Sequence, residues 1–269
     1  MLVSLPEEVN SLLSRVPEAL TRLLGTNLVG LYVYGSLFEA SFDPSRSDVD
    51  RIAVTEQALA ELEFHQLKEW LTEAAAINPW YGRLQMSFLI RGHVLAEDPR
   101  ACLFQFGVLE RTGSDGNPLI WMDFFQRGRT LWGAPPESFL PEITPAIFHQ
   151  ALVREVGYLS EELCVKTDSR WRDDLCYRVY AVLTLCRILY SARTGRVTSK
   201  TRAGQWALDR ASLDRHDLIR QVVENRESCV LEDVPVSHLC GFIEHARSQV
   251  DSGPPVSPNV DAVRSLESD

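Results

Sequence analysis

The chain has 269 residues, 45% hydrophobic and 24% charged, with 15 Gly and 14 Pro, which excludes collagen-like, low-complexity and wholly disordered classes. Its 27 Lys and Arg against 37 Asp and Glu give a net charge of −10, which disfavours a nucleic-acid partner and favours a small cationic one. The segment Met1-Leu2-Val3-Ser4-Leu5-Pro6-Glu7-Glu8 lacks a basic leader and no run reaches the roughly 18 apolar residues of a membrane span, so a soluble, cytoplasmic chain without a membrane partner is expected.

Val9, Leu12, Leu13, Val16, Leu20 and Leu23 recur at helical spacing and predict an amphipathic helix over residues 7–24. Leu28 to Tyr34 reads as a buried strand that ends at Gly35-Ser36, and Arg51-Ile52-Ala53-Val54 as a second. A helix over 56–76 stops before Asn78-Pro79, and a third strand follows in which Leu84, Met86 and Phe88 alternate with Gln85, Ser87 and Leu89. This order predicts an α+β unit built on a small mixed sheet. Residues 99–132 hold short apolar pieces without a clear period, and the proline-rich stretch from Gly133 to Pro145 marks a domain boundary.

Beyond it the pattern is helical, over about 145–165, 172–193, 199–210, 215–226 and 235–250, and predicts an antiparallel bundle. The expected organisation is therefore a first domain over 1–140, an all-helical domain over 145–251, and an unpacked tail over 252–269. The six cysteines (102, 164, 176, 186, 229 and 240) never approach a CxxC spacing, so unpaired thiols in a reducing compartment are expected. His65, His93, His149, His216, His238 and His245 show no paired metal spacing.

One segment carries chemistry, the stretch from Tyr34-Gly35-Ser36 to Ser47-Asp48-Val49-Asp50. A strand that ends in Gly-Ser and turns into a short helix offers amides and a hydroxyl to phosphate oxygens. Asp48 and Asp50 follow Ser36 by twelve and fourteen residues, and alternation on a strand turns both carboxylates to one side. Paired carboxylates suit a hard divalent cation such as Mg²⁺. Either motif alone is more often a turn or a solvated loop; together, on two strands, they point to a nucleotide and metal site.

The combination resembles the polymerase-β-like nucleotidyltransferases and, within them, the aminoglycoside (streptomycin/spectinomycin) adenylyltransferases. Phe104-Gln105-Phe106-Gly107, Leu131-Trp132-Gly133, the run from Val182 to Tyr190, the stretch from Thr194 to Lys200 and Trp206-Ala207-Leu208 fit the same family, from about residue 30 to 210. The resemblance implies a nucleotidyltransferase domain followed by a helical bundle, acting as a monomer. It implies ATP- and Mg²⁺-dependent transfer of AMP to a hydroxyl of an aminoglycoside or aminocyclitol, a small cationic substrate lying between the two domains. Carried over by position, Asp48 and Asp50 hold the metal, Gly35, Ser36 and Ser47 contact phosphates, and Arg187 and Lys200 reach the triphosphate from the helical domain.

The family pattern breaks at the third strand. There the family has a glutamate as general base, and this chain reads Leu84-Gln85-Met86-Ser87-Phe88. An amide has no basic site near neutral pH, so Gln85 predicts slow transfer. Two alternatives follow, Glu110 as a substitute base or an ATP-binding pseudoenzyme that acts as a sensor or switch. A protein or nucleotide hydroxyl is a further alternative acceptor. Val108-Leu109 and Tyr177 occupy positions where family members that take streptomycin carry a tryptophan and an acid; Asp173 and Asp174 stand near the latter and also suit a helix start.

Overall fold

The sequence sets the first layer of the fold through simple periodicity. In the computed structural model, which describes residues 5–38, 42–45, 47–111, 116–210, 213–225, 234–253 and 256–258, α1 spans Glu7–Leu24 and buries Val9, Leu12, Val16 and Leu20 completely. Each such side chain contributes about 1.5–3 kcal/mol relative to exposure. The stripe lies on a sheet whose strands are β1 (Leu28–Tyr34), β2 (Val49–Thr55) and β3 (Leu84–Ile90). Helix α2 (Glu61–Ile77) is the crossover that makes β2 and β3 parallel.

The part of the sequence without a clear period supplies the rest of the sheet. Residues 99–132 contain β4 (Cys102–Gln105), β5 (Val108–Glu110), α3 (Pro118–Arg127) and the start of β6 (Arg129–Gly133). The strand order is β5-β4-β3-β2-β1-β6, with every pairing but β2–β3 antiparallel. Gly133, expected to open a linker, is instead hydrogen-bonded into the sheet edge opposite Gly30. On the face away from α1, Tyr32 packs edge-on against Trp121 and Phe124 of α3, both at 5.5 Å between ring centres, and its hydroxyl donates to the Ala134 carbonyl at 2.6 Å.

The chain divides into two compact units between Glu142 and Ile143. In the second unit α4 (Pro145–Ser160) runs on into a wider π-helical turn, Glu161–Val165. It is followed by a single turn, α5 (Arg170–Asp173), then α6 (Leu175–Thr194), α7 (Lys200–Leu208), α8 (Leu213–Asn225) and α9 (Val236–Ser252). Helix α6 is long and apolar enough by composition to cross a membrane. Here it is the centre of the bundle: it packs on α4, α7, α8 and α9, and Ala181, Val182, Leu183, Leu185, Cys186 and Ile188 are buried. The fold is thus a mixed-sheet α+β unit followed by an all-helical one.

The expectation of unpaired cysteines needs correction. Cys102 and Cys186 are free thiols and Cys229 lies outside the described residues, but Cys164 and Cys240 form a disulfide between the π-helical turn and α9. Their separation of 76 residues gives no local signal, because only the packing of α9 beside that turn brings them together. Of the tail from Ser252, Ser252 itself still belongs to α9, and Ser257 places its carbonyl where a Cβ on Gly195 would stand. The segment 254–255 and everything after Pro258 lie outside the described residues.

Candidate functional site

β1 ends at Tyr34, and the chain leaves the sheet at Gly35 with φ +79, a left-handed conformation that favours glycine. A Cβ here would also overlap the Asp50 carboxylate, which would have to move aside. The expected short helix is a single 3₁₀ turn, Gly35–Phe38. Its first amide is already engaged: the Gly35 N–H donates to Asp123 Oδ2 at 3.0 Å. Asp123 lies on α3, only 3% exposed, and pairs with Arg127 one turn later. The Gly35 amide therefore fixes the turn to α3, and the half-buried Ser36 is the next group along it.

Asp50 stands on the adjacent strand β2, and Asp48 lies one residue before its start. Register pairs Asp50 with Tyr34 on one side and with Gln85 on the other, so alternation puts Asp48, Asp50 and Gln85 on the face that α3 partly covers. Gln85 Nε2 donates to Asp48 Oδ2 at 3.3 Å, and all three residues are half-buried. Ser47 shapes the approach: its N–H donates to the Asp43 carbonyl at 2.8 Å, and its Oγ accepts the Asp43 N–H at 2.9 Å. With a lone pair so used, the Ser47 hydroxyl retains a proton to donate.

Two neighbouring carboxylates disfavour each other's charge and so favour a cation between them. Among the described residues no group of three or more His, Cys, Asp or Glu side chains converges. Two hard oxygen donors fit a cation that keeps waters and takes phosphate oxygens, as Mg²⁺ does, and not a closed zinc site.

In the helical unit, Lys200 opens α7 behind the cap Ser199, whose Oγ accepts the Arg202 N–H at 3.3 Å. The Lys200 ammonium lies 4.4 Å above the ring of Tyr180. Arg187, two turns after Tyr180 on the same face of α6, opposes the rise in the Tyr180 phenol pKa that burial imposes. Tyr180 thus has both Arg187 and Lys200 for neighbours. Tyr177 stacks on Trp171 at 4.7 Å and tilts against Tyr180 at 5.4 Å. Burial pushes its phenol pKa up, so it is a neutral group where the resemblance has an acid.

Other candidates stand apart. Glu110 is exposed on β5, separated from β3 by β4, so it lies about 10 Å from the strand of Gln85. Asp174 caps α6, accepting the Tyr177 N–H at 3.1 Å, and Asp173 is exposed 4.0 Å from Arg178. His65 pairs with Glu61, His93 with Asp98, and His149 with the Val250 carbonyl. Asp123 and Arg83 are the residues that sequence reasoning missed. Their partners lie 36 to 88 positions away, and no local spacing marks them.

Comparison with known proteins finds similarity along most of the chain. A model of the C-terminal domain of aminoglycoside adenylyltransferases matches residues 138–240. The spectinomycin 9-adenylyltransferase of Enterococcus faecalis is 23% identical over 239 residues, covering 79% of this chain and 85% of that protein. A crystal structure of the enterococcal spectinomycin adenyltransferase, solved with ATP and spectinomycin, superposes with a TM-score of 0.66 at 18% identity. It covers 91% of this chain and 99% of its own.

Proposed function

We propose that this aminoglycoside adenylyltransferase-like chain transfers AMP from ATP to a hydroxyl of an aminoglycoside or aminocyclitol, releasing pyrophosphate. The observation that carries the reading is the pair of acids at the start of β2, Asp50 set against Gly35 and Asp48 hydrogen-bonded to Gln85. The matched C-terminal domain and the ATP and spectinomycin in the related crystal structure support it.

In this reading Asp48 and Asp50 hold Mg²⁺, which when bound neutralises charge on the triphosphate. Ser36 and Ser47 donate hydroxyl protons to phosphate oxygens, and Arg187 and Lys200 add positive charge to the nucleotide's binding. The acceptor oxygen bonds to the α-phosphorus, the bond from that phosphorus to the bridging oxygen breaks with its electron pair leaving on pyrophosphate, and the acceptor's hydroxyl proton passes to solvent water. Gln85 does part of a base's work. Its Nε2 is committed to Asp48, which turns Oε1 toward accepting a hydrogen bond, so it aligns a hydroxyl but takes no proton.

A second reading rests on that same bond. An amide that donates to Asp48 secures a metal ligand without a base, as an ATP-binding protein that transfers nothing would need. Pyrophosphate release from ATP and Mg²⁺ with a panel of aminoglycosides, including spectinomycin, separates the two. Under the transfer reading the unmodified protein turns over slowly, and Gln85→Glu accelerates it about 10²–10⁴-fold, the usual range for a positioned base. A carboxylate beside Asp48 would also have its proton affinity raised by the neighbouring charge. No transfer by either protein with any acceptor supports the ATP-binding reading.

A further inference from the structure

The loop that delivers Ser47 and Asp48 is held from a segment the reaction does not use. Arg83 ends the 3₁₀ turn Pro79–Arg83, two residues before Gln85. Its Nη1 donates to the Pro44 carbonyl at 2.6 Å, and its Nη2 donates to the Ser47 carbonyl. One guanidinium fork thus spans two carbonyls of the loop, the second belonging to the residue just before Asp48. The same group lies 4.1 Å above the Trp80 ring, which stacks on Phe42 at the loop's other end with 6.2 Å between centres.

The platform behind Arg83 is itself fixed on three sides. Asn78 Oδ1 accepts the Trp80 N–H at 3.0 Å, and Asn78 Nδ2 donates to the Glu8 carbonyl of α1 at 2.9 Å. Tyr81 is buried edge-on against Trp70 of α2 at 5.7 Å. A guanidinium that stays planar while bridging two carbonyls transmits this rigidity to the loop, and a single ammonium could not reach both. From the same platform the chain enters β3 and presents Gln85, whose amide holds the Asp48 carboxylate.

We infer that Arg83 is a positioning residue: with Trp80 it fixes the backbone at Ser47, so that Asp48 is held ready for the metal-bound triphosphate. The inference rests on the reading of Asp48 as a metal ligand. Partners of this kind, one step removed from a ligand, typically change metal affinity 10- to 100-fold when lost.

The measurement is ATP affinity by calorimetry with Mg²⁺ and again in EDTA, with a urea midpoint for each variant. The readout is the ratio of the two affinities, which a general loss of structure does not change selectively. Arg83→Gln is expected to lower that ratio about 10- to 100-fold and leave the affinity in EDTA unchanged. Arg83→Lys, which can serve one carbonyl, is expected to fall between, and it is the variant to read if Arg83→Gln lowers the urea midpoint. An unchanged ratio in the folded variant overturns the inference. Asp48→Asn is the control that separates the two claims: if it too leaves the ratio unchanged, the metal assignment fails first. If it abolishes the metal dependence while Arg83→Gln does not, only the role of Arg83 fails.

Discussion

Asp50 and Arg51 are neighbours on β2 with opposite charges and opposite surroundings. Asp50 faces the side of the sheet where the chain leaves β1, half-exposed and pressed against Gly35. Arg51 points to the α1–α2 side, 0% exposed, and its Nε, Nη1 and Nη2 have no hydrogen-bond partner among the described residues. Burial pushes the guanidinium pKa down, with the nearby Tyr81 phenol opposing, and that phenol's oxygen is likewise unpartnered among the described residues. The contrast shows where the unit gains stability and where it loses it. Polar groups on the site face are fixed by bonds from distant segments and share solvent. The cation behind them is a cost carried by the apolar core, because a desolvated, unpaired charge is destabilising.

Replacing the buried cation is the strongest way to sharpen that contrast. Arg51→Met keeps a flexible unbranched side chain and removes the buried charge, so the stability of the first unit should rise by about 1–4 kcal/mol. The gain should hold across pH 5 to 8, because an arginine stays protonated throughout that range in either state. Urea unfolding followed by tryptophan fluorescence, to which Trp70, Trp80, Trp121 and Trp132 of the first unit contribute, checks it. A loss of stability would mean that the guanidinium has a favourable role in the core and would break the contrast.

Gly35→Ala tests the other face and should have the smaller effect. The left-handed backbone costs an L-residue about 1–2 kcal/mol, and the new methyl displaces the Asp50 carboxylate. Stability should fall by about that energy, and magnesium-dependent ATP affinity should fall about tenfold because the Asp50 carboxylate is displaced. Calorimetry of the variant beside the parent decides it. Unchanged affinity would show that the position of Asp50 does not depend on Gly35.

How much was legible follows from which forces are local. The helix over Glu7–Leu24 has the bounds expected from its apolar spacing, because side chains three and four apart see the same core. Asp48 and Asp50 could be placed on one face because strand alternation is a local rule. The strands between Cys102 and Gly133 were illegible: at three to five residues each they are too short for a period, and their partners define them. Asp123 and Arg83 escaped for a related reason. An Asp one turn before an Arg in a helix reads as an ordinary surface pair, and only the fold shows it buried under Gly35. Arg51 looked like any strand residue, since the sequence does not say which face the helices cover.

The central claim is that the half-buried acids Asp48 and Asp50, at the start of β2, bind nucleotide through a metal. Calorimetric titration of ATP into the protein in Mg²⁺, and into Asp48→Asn/Asp50→Asn under the same conditions, tests it most directly. The account predicts saturable, Mg²⁺-dependent binding to the parent and, with both oxygen donors neutralised, binding weakened by several kcal/mol, roughly a hundredfold or more. Melting curves that coincide would show that the loss is not unfolding. Equal ATP affinity in the parent and the double variant would contradict the account.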